Sequence, residues 1–105
     1  MYNRIDIQSK NYQPEKTPDY LIKIIEMINS TDNVKALSLI RKGIYAELAT
    51  FGMIIHNYEM IIDSNDFDDD CYEKYKEDCS EYFYLTNIYN VVQTKIYNIT
   101  HTKGN

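Results

Sequence analysis

The amino-acid sequence predicts an all-α protein: a long antiparallel helical hairpin, about 32–62 and 68–99, with a shorter helix, about 18–29, packed on its open end in the manner of a three-helix bundle. Three observations carry that prediction. Apolar residues recur at steps of three and four through most of the chain, a spacing that strands do not produce. The two longest apolar stripes are separated by a short polar connection, which forces the helices carrying them to fold back on one another. The stripes also match when one is reversed: Tyr58 with Tyr75, Phe51 with Tyr82, Leu48 with Leu85, Ile44 with Tyr89, Leu37 with Ile96 and Val34 with Ile99 share a single number sum, as antiparallel partners must.

The elements follow in order. Residues 1–16 form a polar, flexible or extended N-terminal arm in which "RIDI" alternates and Pro14 closes the segment. Thr17-Pro18-Asp19 opens the first helix, with Thr17 as cap, Pro18 at the first helical position and Asp19 complementing the positive end of the dipole. Leu21, Ile24, Ile25 and Ile28 then share one face. Ser30, Thr31 or Asp32 is expected to cap the second helix, whose stripe runs from Leu37 through Ile40, Ile44, Leu48, Phe51, Ile55 and Tyr58 to Ile62. Gly43 and Gly52 each mark a bend or a close approach within it. The third helix carries Cys71, Tyr75, Tyr82, Leu85, Tyr89, Val92, Ile96 and Ile99, and a polar tail, 101–105, follows. A further stripe on that helix, Tyr84, Ile88 and Val91, lies at the height of Leu39, Gly43 and Ala46, where the first helix is expected to pack. The first helix is too short to reach the hairpin tip, which is expected to be bare.

The stretch "DSNDFDDDCYEKYKEDC" at the start of the third helix invites comparison with a calcium loop. Asp66, Asp68, Asp70 and Glu77 would occupy loop positions 1, 3, 5 and 12 of an EF-hand. Cys71 stands where the template needs glycine for a sharp turn, however, and Glu73 where it wants an aliphatic residue. Helix initiation accounts for more residues: Asp66 or Asp68 caps, further acids meet the dipole, and Phe67 staples onto the next turn near Tyr72. No metal and no cofactor is expected.

Initiation needs two or three acids, and this segment has more. Residues 1–62, 63–81 and 82–105 carry formal charges of 0, −7 and +2. Asp66, Asp70, Glu73, Glu77 and Glu81 recur at steps of three and four, so they are expected to form one stripe, and Met53, Met60 and Tyr72 are expected to add apolar contacts at the same end. A solvated face is the plain explanation of such a stripe; a docking surface for a basic partner is the functional one.

Several function classes are disfavoured. With only two arginines, Arg4 and Arg41, and an acidic balance, direct nucleic-acid binding is not expected. No nucleophile or glycine-rich loop converges on a histidine: His56 is expected to pair structurally with Asp78, and His101 lies in the tail, so no catalytic residue is assigned. Cys71 and Cys79, about 12 Å apart if they share a helix, cannot bridge, and the carboxylates around Cys71 oppose thiolate formation. The opening "MYNRIDIQSKNYQ" lacks the apolar run of a signal peptide, and nothing approaches the ~20 apolar residues of a membrane span, so cytoplasmic residence is expected. The bias to Ile, Asn, Lys and Tyr points to an AT-rich genome. The expectation is a small acidic non-enzymatic interaction protein, an inhibitor, immunity or regulatory factor of a phage, mobile element or virus, acting on a protein partner with a basic surface. The alternative is a structural helical-bundle protein that forms a homodimer through faces the first helix leaves uncovered.

Overall fold

In the computed structural model, which describes residues 2–102, three helices follow in order: α1 Asp19–Asn29, α2 Val34–Ile61 and α3 Asp69–Thr102. α2 and α3 form the antiparallel hairpin, and α1 lies along its open half, chiefly against α3. The result is a rod of 59 × 24 × 22 Å. Its register agrees with the matched stripes. The rings of Tyr58 and Tyr75 stand 5.7 Å apart, and a Cβ placed on Gly52 would lie 3.7 Å from the Tyr82 ring.

The helix ends show which local signals prevailed. Pro18, with φ −62° and ψ 147°, is itself the cap residue of α1 and makes no side-chain cap bond, so Thr17 does not cap it. At α2 the cap is Asn33, whose side chain accepts the Ala36 N–H at 3.0 Å. The expected candidates are spent earlier: Thr31 Oγ1 accepts the Asn33 N–H, and the Ser30 hydroxyl donates to the Met27 carbonyl at the end of α1. Lys95 closes that same end from α3, donating from Nζ to the Ile28 carbonyl at 2.6 Å, as a cation at a helix C-terminus should. Asp68 starts α3 by accepting the Cys71 N–H at 2.9 Å, and Phe67 packs edge-on against Tyr72, which completes the staple. α3 runs on through His101 and Thr102, residues assigned above to the tail. The hydroxyls of Thr100 and Thr102 donate to carbonyls four residues back, and His101 stacks on Tyr97 at 3.8 Å. Residues 103–105 lie outside the described residues.

Two apolar clusters hold the rod together. At the open end Leu21 and Ile28 of α1 meet Leu37 and Ile44 of α2 and Leu85, Ile88, Val92 and Ile96 of α3. At the tip Ile55, Ile62, Phe67, Tyr75 and Cys79 are buried together.

The tip is not bare. The N-terminal arm covers it, with the Tyr2 ring 5.1 Å from Phe67 and 5.0 Å from Tyr72, its hydroxyl donating to Asp69, and Ile5 and Ile7 packed on the tip cluster. The Ile5 N–H donates to the Tyr75 hydroxyl at 2.9 Å, and that hydroxyl donates to Glu59 Oε2 at 2.8 Å. Beyond an Asx turn at Asp6 and a serine turn at Ser9, Tyr12 lies against Phe83. The arm then crosses the outer face of α3: Glu15 N–H donates to Ser80 Oγ at 2.7 Å, and the Tyr84 hydroxyl donates to the Glu15 carbonyl at 2.7 Å. That crossing buries Ser80, a polar residue, and leads the chain round to α1.

α1 covers less of α2 than its length suggests. Leu39 remains 69% exposed, and a Cβ on Gly43 would meet nothing within 4 Å. Gly43 therefore serves no close approach, while Gly52 makes an ordinary contact. Gly43→Ala is expected to stabilise the protein by about 1 kcal/mol, the helix-propensity difference at an open interior position; a urea midpoint that fails to rise would show that this glycine has a role the packing does not reveal.

Candidate functional site

The acidic segment occupies the loop after α2 and the first turns of α3. Because Asp68 caps the helix, Asp70, Glu73, Glu77 and Glu81 fall on one side of α3, and Asp66 lies in the preceding turn rather than on the helical stripe. Asp70, Glu73 and Glu77 are exposed and Glu81 is half-buried. The loop and helix start leave no calcium-loop geometry, since Glu77 sits two turns into a regular helix; among the described residues no group of three or more His, Cys, Asp or Glu side chains could hold a metal ion.

The structure ties down part of the stripe. Glu73 pairs with Lys76 at 2.9 Å on the exposed surface, and Glu81 accepts the Tyr20 hydroxyl at 2.5 Å at the start of α1. Glu77 and Glu81 then line a small cleft of about 220 Å³ with Glu15, Lys16, Pro18 and Ser80, where the arm crosses α3. Sequence reasoning did not place Tyr20, Glu15 or Lys16 here, because they reach the stripe only through that crossing. Among the described residues of the segment, the exposed acids without such ties are Asp63, Asp66, Asp70 and Glu77.

Local chemistry follows from these contacts. The Cys71 N–H holds the Asp68 carboxyl below the usual carboxylate range, which keeps the cap ionised. Asp78 is pushed up by burial and by Glu81 and Glu77, while Lys74 and the neighbouring Tyr58 hydroxyl oppose the shift. His56 is exposed, and among the described residues no hydrogen bond or ion pair joins it to Asp78, so the expected pair does not form. Burial, with Glu59 and Asp78 nearby, pushes the Cys79 thiol up to about 12, so it behaves as an apolar core residue. Tyr2 is raised to about 12, chiefly by its hydrogen bond to Asp69.

The apolar residues expected beside the acids are not gathered there. Tyr72 is half-buried, packed against Tyr2, Phe67 and Tyr75, with the Lys76 ammonium 5.6 Å from its ring centroid. Met53 and Met60 are each 70% exposed, but they stand on the side of α2 away from α3. Met53 is two residues from both Phe51 and Ile55, about 200° round the helix from the face that packs on α3. The acids and the methionines therefore belong to different surfaces. No helix is long and apolar enough to cross a membrane among the described residues.

No protein-family model, no curated protein and no solved structure matches this chain.

Proposed function

We propose that the protein is a small non-enzymatic interaction module, an inhibitor, immunity or regulatory factor, that docks its acidic face on a basic protein surface in the cytoplasm. The observation that carries this reading is the concentration of charge: residues 63–81 hold nine acids against Lys74 and Lys76, while the rest of the chain is neutral or slightly basic. Such a one-ended field steers encounter with a partner of opposite sign and selects against partners of like sign. The groove of a nucleic-acid-binding protein, lined with Lys and Arg, has the required character. The rigid rod and the arm that braces the tip support the reading, because they hold Asp70, Glu73 and Glu77 in fixed relation at little further ordering cost.

The test is a fourfold neutral variant, Asp70→Asn, Glu73→Gln, Glu77→Gln and Glu81→Gln, in which the new amide oxygen at the last position can still accept from Tyr20. Each like-charge step of three or four residues costs a helix a few tenths of a kcal/mol, so helicity by circular dichroism should hold or rise. Binding to the partner recovered with the unaltered chain should be lost, and binding of the unaltered chain should weaken steeply with salt. Retention of the partner by the neutral variant would remove the proposal.

A further inference from the structure

The outer face of α2 carries a second seam. Leu39, Lys42, Ala46, Ala49, Met53, His56 and Met60 follow one another at steps of 3, 4, 3, 4, 3 and 4, and every one of them is exposed. Alternation of three and four is the spacing of a coiled-coil contact line. The line lies opposite the stripe that packs on α3, and α1 leaves it open, with Leu39, Met53 and Met60 each about 70% exposed. It is not explained by the proposed acidic docking face, which is on α3.

The seam is self-complementary when reversed. An antiparallel two-fold centred between Ala49 and Thr50 sets Leu39 against Met60 of a second copy, Lys42 beside His56, and Ala46 against Met53, so that a small residue faces a large one at the level nearest the axis. Ala49 lies beside the axis itself, where a small side chain lets two helices approach closely. Charge selects the same direction. On this side of α2 the N-terminal half bears Lys35 and Lys42, Arg41 being turned to Gln93 of α3, and the loop beyond its C-terminal end bears the exposed Asp63 and Asp66. Antiparallel docking brings Lys35 to the level of Asp63 at both ends, whereas parallel docking sets Lys35 on Lys35. We propose that a second copy of this chain binds antiparallel along the outer face of α2, giving a two-fold dimer whose central contacts are Leu39, Ala46, Ala49, Met53 and Met60.

Sedimentation of the full chain from micromolar to millimolar concentration tests it. A dimer is expected, and Ala49→Glu, which brings like charges together at the axis, should weaken it by about a hundredfold or more. Glutamate is a good helix former at an exposed site, so the fold should persist; Met53→Lys provides a second disruption at a neighbouring level. Lys35→Glu should weaken the dimer, and adding Asp63→Lys to it should restore much of the loss. Spin labels should report a short distance between copies at residue 49 and a long one at residue 39. A chain that stays monomeric, a dimer indifferent to both Ala49→Glu and Met53→Lys, or short distances at both labelled sites would each overturn the proposal. Ala49→Glu and Met53→Lys leave the acidic segment untouched, so loss of the dimer and loss of partner binding are read separately.

Discussion

Replacing Tyr75 with alanine is expected to destabilise the protein by about 3–5 kcal/mol, the range for removing a fully buried aromatic ring from a packed core. Tyr75 has no exposed surface and sits among Tyr58 at 5.7 Å and Tyr72 at 6.1 Å, with Phe67 and Cys79 buried in the same cluster. Its hydroxyl has a second role: it accepts from the Ile5 N–H and donates to Glu59, joining the arm, α2 and α3 at one atom. Burial raises its pKa, so it remains a protonated donor throughout the neutral range. Tyr75→Phe separates the two contributions. It keeps the ring and removes only the hydroxyl, which should cost about 1–3 kcal/mol because Ile5 and Glu59 lose a partner away from bulk water. Urea unfolding of both variants gives the two magnitudes, and hydrogen exchange at the Ile5 amide gives the location. If Tyr75→Phe costs as much as Tyr75→Ala, ring packing is not what holds the tip; if Ile5 stays protected in Tyr75→Phe, the hydroxyl does not hold the arm.

The hairpin was legible because its information is periodic and local. Leu37, Ile44, Ile55, Leu85, Val92 and Ile96 repeat the helical step and are buried, and the facing of Tyr58 and Tyr75 follows from reversing one stripe against the other. The arm was not legible, because what fixes it is neither periodic nor local. Ile5, Glu15 and Tyr2 reach partners 65 to 70 residues away, and two of those bonds use the arm's own backbone N–H groups, which carry no side-chain signature. Ile5 and Ile7 do alternate with polar residues, but alternation over so few positions does not say what they cover. Ser80 illustrates the same limit, since a serine on a helix reads as solvent-facing until the strand of chain that buries it is placed. In the candidate site the acids on α3 fell on one side as their spacing implied. Met53 and Met60 were grouped with them by height along the rod, and height does not specify azimuth.

Leu85→Ala is expected to cost about 2–5 kcal/mol, and its effect should be confined to the other end of the rod. Leu85 is 1% exposed at the level where α1, α2 and α3 meet, in the cluster that includes Leu21, Ile44, Ile88 and Val92. It also lines an open cleft of about 340 Å³ with Tyr20, Ile24 and Ile44, so truncation widens an existing gap between α1 and α2 instead of creating a sealed void. Water can enter such a gap, and α1, already held on α2 by few contacts, should loosen first. Amides in Leu21–Ile28 should therefore lose protection from hydrogen exchange in Leu85→Ala while those around Tyr75 keep theirs, the reverse of the pattern expected for Tyr75→Ala. The two sites lie about 15 Å apart along α3 and belong to separate clusters, so their costs in a double variant should add to within about 0.5 kcal/mol. A coupling well beyond that, or loss of protection at Ile5 in Leu85→Ala, would mean that α3 transmits packing changes along its length and that the rod has one cooperative core instead of two.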